Sequence, residues 1–184
     1  MMTRSVALGL CAALAVMLTA CGPADRTEDP LADVVGDEAD LSRFAQGLES
    51  TGLKGVLEGE ASYTLLAPSD EAFEALGADG AALFDDPERG AILAAVLREH
   101  MLPGALDPES MRATINERGG SVYVVSFGNG ELSVEVEGED LVVNTATGQR
   151  AKLGDVAVIG KNGVIIPIDA VLVDSAALAG QAGG

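Results

Sequence analysis

Apolar positions recur at helical spacing in the first two thirds of this chain and then switch to a period of two. Asp40 is expected to cap a helix whose Leu41, Phe44, Ala45 and Leu48 fall at i, i+3, i+4 and i+7, with Gly52 ending it. Tyr63 to Ala67 predicts a short buried strand broken by Pro68. Ser69 then predicts a second helix cap, with Asp70 and Glu71 in a first turn where acids suit the helix dipole. Asp86-Pro87 predicts another start, with a cap followed by proline at the first helical position. That helix carries Ile92, Leu93, Val96 and Leu97 and is expected to run until Pro103-Gly104. Asp107-Pro108 restarts a short one ending near Ile115.

Beyond it, Leu132, Val134 and Val136 alternate with Glu131, Ser133, Glu135 and Glu137, a strand with one wet face. Val122 to Phe127 precedes it, apolar on both faces, and Gly128-Asn129-Gly130 supplies a hairpin turn. Further strands are expected at Leu141 to Asn144, Val156 to Ile159, Val164 to Ile168 and Val171 to Val173, with Asn162-Gly163 as another hairpin signal. Pro167, which has no N–H for a ladder, is expected at a sheet edge or bulge. Helices first and sheet later define an α+β class, and no repeat at a solenoid period interrupts it.

The first residues have a different character. Met1 to Arg4 make a short basic start, and Ser5 to Met17 run apolar, too short to span a bilayer but typical of a signal peptide. The stretch ends in Leu18-Thr19-Ala20-Cys21 followed by Gly22 and Pro23, which resembles the lipobox of bacterial lipoproteins. Small residues before the cut let a peptidase reach the backbone, and only a thiol readily accepts diacylglycerol. The expectation is a signal peptide at 1–20, a lipidated Cys21 with a tether through residue 30, one domain over 31–175 and a flexible Gly-rich tail at 176–184. Cys11 leaves with the signal, so the mature domain keeps no free thiol and no disulfide. Gly22 rather than Asp after the cysteine does not signal inner-membrane retention. The predicted address is therefore a bacterial cell envelope, at the outer membrane or a periplasm-facing surface.

Composition narrows the function. A formal charge of −18, from 29 acidic and 11 basic residues, repels phosphate backbones and excludes nucleic acid as the partner. Losing Arg4 with the signal takes the side-chain charge to about −19. Aromatics make up only 3% and Trp is absent, so the core is built from Ala, Val, Leu and Ile. Catalytic machinery is not legible. His100 is the one histidine and continues the face of Ile92, Val96 and Leu97, as a buried core histidine does. No Gly-x-Ser-x-Gly elbow, zinc-ligand set, phosphate loop, dinucleotide fingerprint or EF-hand spacing is present. The pairs Asp85-Asp86 and Glu139-Asp140 sit beside turn residues as solvated caps. The expectation is a non-enzyme with no cofactor and no metal.

Three segments together resemble the fasciclin domain, an extracellular adhesion and interaction module. The first is Tyr63-Thr64-Leu65-Leu66-Ala67-Pro68-Ser69-Asp70-Glu71-Ala72-Phe73. The second is Leu97-Arg98-Glu99-His100-Met101-Leu102-Pro103-Gly104. The last is Asn162-Gly163-Val164-Ile165-Ile166-Pro167-Ile168-Asp169, followed by Ala170-Val171-Leu172. The resemblance covers Leu31 to Ser175 and implies a fasciclin-like fold, with N-terminal helices packed on a mostly antiparallel sheet or wedge. Signature residues for binding, partly structural, are Pro68, Ser69, Asp70, Phe73, His100, Asn162, Gly163 and Asp169. Asp169 is expected to accept hydrogen bonds from nearby backbone amides. Two positions depart from the pattern. Glu99 stands where the family often has tyrosine before the histidine, a pair associated with integrin binding in animal relatives, and Ile166 stands where it often has histidine. The resemblance and the lipobox together imply a non-catalytic envelope lipoprotein that binds an envelope or extracellular protein or polymer. The alternative is a carrier of a small apolar ligand such as a lipid or pigment, held in a cleft between helices and sheet.

Overall fold

The computed structural model describes residues 25–156 and 158–173. The signal segment 1–20, Cys21 and the tail 176–184 lie outside the described residues. In chain order, strand β1 (Asp25–Arg26) precedes helices α1 (Leu31–Val34) and α2 (Ser42–Ser50), strand β2 (Tyr63–Pro68), and helices α3 (Asp70–Glu74), α4 (Gly77–Asp85) and α5 (Gly90–Glu99). Strand β3 (Met101–Pro103) and helix α6 (Pro108–Arg118) come next. Strands β4 (Val122–Val125), β5 (Glu131–Glu137), β6 (Asp140–Thr145), β7 (Arg150–Leu153), β8 (Val158–Gly160) and β9 (Gly163–Ile168) complete the domain.

Strand β9 is the hub. β2 lies parallel along one side of it over Tyr63↔Gly163 to Pro68↔Ile168. The other side is shared by β8, antiparallel over Gly160↔Gly163 to Val158↔Ile165, and by β7, which meets it only at Leu153↔Ile168. From β7 the sheet continues antiparallel through β6 and β5 to β4, an edge strand, while β3 pairs antiparallel with β2. The sheet is thus mixed, with its central pair parallel. A parallel pair covered on both faces needs continuous apolar runs, and β2 is buried at every position.

Those two faces serve two cores. Leu65, Ala67 and Ile165 face the helical side, with Phe44, Leu48, Phe73, Leu83, Leu93 and Leu97. Leu66, Val164, Ile166 and Ile168 face the other side, where Met111 and Ile115 of α6 meet Leu132, Val134, Val143 and Leu153 of the antiparallel strands. The strand period of two distributes one apolar run between the layers.

Several expectations are corrected. Asp40 lies in a 3-10 turn over Ala39–Leu41, and α2 begins after it without a side-chain cap of its own. Its exposed amide is satisfied from another element: Arg43 N donates to Asp70 Oδ1 at 2.8 Å. Helix α5 stops at Glu99, before Pro103-Gly104, because Met101–Pro103 pairs with β2. Helix α6 runs past Ile115 to Arg118. Arg150–Leu153, not anticipated, forms β7, whereas Val171–Val173 is not a strand. Residues 25–30, read as tether, lie along the domain: Asp25 and Arg26 pair with Val158 and Ile159, and Lys161 N donates to Asp29 O at 2.9 Å.

Pro167 stands in the central strand, not at an edge. It occupies the step between the β8 and β7 ladders, and its carbonyl accepts Gly154 N at 2.8 Å. A strand residue's nitrogen and oxygen point to the same side, so the missing N–H falls between the β8 ladder, which ends at Val158↔Ile165, and the β7 bridge at Leu153↔Ile168.

Candidate functional site

The three signature segments meet at one place, the β3–β2–β9 ladder. Leu66 N donates to His100 O at 2.9 Å, Tyr63 N to Asn162 O at 2.9 Å, and Ser69 N to Ile168 O at 3.1 Å. Segments up to about a hundred residues apart in sequence therefore close the fold by direct backbone hydrogen bonds.

His100 is fully buried at the end of α5. Its Nδ1 lies 2.8 Å from Val96 O, and its Nε2 accepts the amide of Leu172 at 2.9 Å, an arrangement that assigns the proton to Nδ1. Phe44 meets the ring edge-on at 6.5 Å between centroids. Burial pushes its pKa down from 6.5 to about 4, partly opposed by the bond to Val96. Both ring nitrogens are occupied by backbone, so the ring offers no free base to a substrate.

The other signature residues are likewise structural. Asn162, 4% exposed, accepts Leu31 N at 2.8 Å and donates to Leu57 O at 2.6 Å and Gly59 O at 3.1 Å, tying three segments together. Gly163 has a φ of 149°, and a Cβ there would strike the carbonyl of Tyr63, so the β2–β9 approach requires glycine. Ser69 caps α3 by accepting Ala72 N at 3.1 Å, directly after Pro68 ends β2. Phe73 is buried edge-on against Phe84, 5.2 Å between centroids. Asp169 accepts Lys152 N at 2.7 Å, as its position predicts.

Glu99, at the place of the family's tyrosine, is half-buried and reaches across to the 126–130 turn. Ser126 Oγ donates to its Oε2 at 2.6 Å while accepting Gly128 N at 3.2 Å and Gly130 N at 3.0 Å. A Cβ on either glycine would collide with the carboxylate, so the turn is shaped around this side chain. Phe127 N donates to Met101 O at 2.9 Å and Gly128 N to Arg98 O at 3.2 Å, which joins the end of β4 to the end of α5 and the start of β3.

An open, mainly apolar hollow of about 290 Å³ lies over Ser69, Leu153, Pro167 and Asp169, at the low end of ligand-pocket sizes. Among the described residues no cluster of His, Cys, Asp and Glu could hold a metal ion, and no helix is long and apolar enough to cross a membrane. The large apolar side chains left exposed there are Tyr123 (66%), Val125 (54%), Phe127 (43%) and Val56 (42%). Three of the four belong to β4 and its exit. The signature residues did not point to them; the signal was a run apolar on both faces beside a strand with one wet face.

Two cores built around a central parallel pair, with signature residues taking part in the hydrogen bonds that close it, define an α+β domain. The chain belongs to the Fasciclin domain family, whose model matches residues 39–174. It is 29% identical over 145 residues to the transforming growth factor-beta-induced protein ig-h3 of Sus scrofa, covering 78% of this chain and 19% of that protein. The chain thus spans about a fifth of that relative's length. Its fold matches the fasciclin domain pair from the insect cell adhesion molecule Fasciclin I with a TM-score of 0.68 and 16% identity, over 82% of this chain and 52% of that one. Fasciclin domains typically serve adhesion and protein interaction, and the family is one of non-enzymatic adhesion domains.

Proposed function

We propose that this protein is a non-catalytic bacterial envelope lipoprotein, anchored through acyl chains on Cys21, whose fasciclin domain binds an envelope or extracellular protein or polymer. The observation that carries the reading is the family match over residues 39–174. The lipobox-like Leu18-Thr19-Ala20-Cys21 supports the anchor, and more than one acyl chain gives stable membrane attachment where a single chain does not. Burial of His100 with both nitrogens occupied supports a role without acid–base chemistry. Glu99 in place of tyrosine argues against the integrin-binding pair of animal relatives.

The anchor is tested by mass spectrometry of the native mature protein. A diacylglyceryl-modified cysteine at the first mature position is expected, and an unmodified amino terminus elsewhere removes the anchor. The interaction role is tested by gene deletion: loss of adhesion, aggregation or envelope assembly is expected, and a strain normal in all three counts against it. Extraction of natively purified protein separates the carrier alternative, which requires a stoichiometric lipid or pigment.

A further inference from the structure

We propose that the free edge of β4 binds an extended, basic segment of a partner protein, adding it to the sheet as a further strand. This rests on the interaction reading above and names the surface and the chemistry of its partner.

β4 pairs with β5 on one side only, through Val122↔Val134 to Val125↔Glu131. Its other side lies beside β3, and the backbone bond between them among the described residues comes from just past the strand, where Phe127 N donates to Met101 O at 2.9 Å. Beyond that bond no ladder joins β3 to β4 among the described residues, so within them the edge from Val125 to Val122 has no strand partner. Sheets normally blunt such an edge with lysine, proline or an inward charge. The segment from Val122 to Phe127 has none of these, and it turns Tyr123 and Val125 outward. Phe127, just past the strand, leans on Tyr63 with ring centroids 5.7 Å apart, extending the apolar strip toward the seam.

The neighbouring strand sets the partner's charge. On the outer face Tyr123 lies opposite Ser133 and Val125 opposite Glu131, so Glu131 and Glu135 flank Tyr123 diagonally. The ion pairs of this sheet, Arg150 with Glu137 and Lys152 with Asp140, lie toward β6 and β7. None of the ion pairs among the described residues includes Glu131 or Glu135, although one oxygen of Glu135 accepts Asn144 Nδ2 of β6 at 2.7 Å, which leaves Glu131 the nearer carboxylate for a partner's cation. A strand added to β4 stands two strand spacings from these carboxylates, about 10 Å. A lysine or arginine stem crossing Tyr123 or Val125 and a glutamate side chain extending from β5 close that distance between them, with the stem on the apolar strip and the charges meeting beside it. Arg118, at the end of α6, lines one hollow with Val122 and Tyr123, so one positive charge stands at the amino-terminal end of the strip. A second copy of the chain would bring another molecule of charge −18 to this edge, so a basic partner fits better.

The test uses a short fluorescent peptide alternating valine and lysine, titrated into the purified protein and followed by anisotropy. Binding is expected to weaken by about tenfold or more in a Tyr123→Lys, Val125→Lys double variant. It is also expected to vanish when alternate backbone amides along one edge of the peptide are N-methylated, and for the glutamate–valine counterpart. No binding overturns the proposal, as does equal binding by protein and variant. Equal binding of the N-methylated peptide also overturns it, because charge alone then suffices. So does self-association of the unmodified protein that the double variant abolishes, because the edge then belongs to a second copy. A native partner captured equally by protein and double variant removes this surface and leaves the interaction reading standing.

Discussion

The imidazole of His100 accepts the backbone amide of Leu172 at 2.9 Å, so the end of α5 holds a segment 72 residues further along the chain. Both nitrogens are taken, and protonation would set an N–H against an N–H inside a dry site. The folded pKa of about 4 is below the ordinary 6.5, so the unfolded chain binds the proton more readily. The contribution to stability is therefore complete above about pH 6.5 and is lost as pH falls toward 4, a change of roughly 3 kcal/mol. Denaturation midpoints measured between pH 4 and 7.5 are expected to fall more steeply for the native protein than for a His100→Gln variant. Parallel curves would contradict this.

Asn162 holds the amino-terminal segment and the turn before β2 to the turn before β9. Asn162→Ala leaves the amide of Leu31 and two carbonyls without their partner and is expected to cost about 2–4 kcal/mol by chemical denaturation. A cost below about 1 kcal/mol would show that water or a local shift replaces these bonds.

Gly163→Ala is expected to cost at least about 3 kcal/mol or to abolish folding, since its positive φ and the Tyr63 carbonyl both oppose a side chain. Gly36→Ala, with nothing within 4 Å of the added Cβ, is the control and is expected to stay within about 1 kcal/mol of the native protein. Similar effects at the two glycines would contradict the close approach of β2 and β9.

The Glu99–Ser126 contact organises the turn that ends β4. Ser126→Ala removes the hydroxyl that donates to Glu99 and accepts from Gly128 and Gly130. A loss of about 1–2 kcal/mol is expected. Amide exchange should speed up most at Gly128 and Gly130, and unchanged exchange at both would place the order of the turn elsewhere.

Elements whose signals are local were legible in the sequence. Ser69 and Asp107 cap α3 and α6 where the residue pattern places them, because each bond spans three residues, whereas Asp86 caps only the 3-10 turn Pro87–Arg89 and α5 begins after it at Gly90. The wet-faced β5 follows directly from its alternation. What stayed hidden depends on distant partners. Asp40 resembles a cap, yet the carboxylate that serves α2 at Arg43 comes from Asp70, 27 residues beyond Arg43. Arg150–Leu153 carries only two apolar residues and becomes a strand by pairing with β6. Met101–Pro103 continues an apolar helix by pattern and is drawn out of it by β2. The signature residues were read partly as binding residues; the side chains of Ser69, Phe73, His100 and Asn162 cap, pack or hydrogen-bond within the fold. The exposed strip at Tyr123, Val125 and Phe127 had no signature to mark it.

If the domain works by binding, a partner should be recoverable from the envelope by capture. The immobilised domain would be exposed to detergent-solubilised envelopes of its source organism beside an acidic control of matched fold, at low and high salt. One protein or polymer is expected to be retained by this domain and not by the control, and to persist when salt screens simple ion exchange. Retention of nothing beyond the control, together with a lipid or pigment bound in the native protein, would contradict the interaction reading.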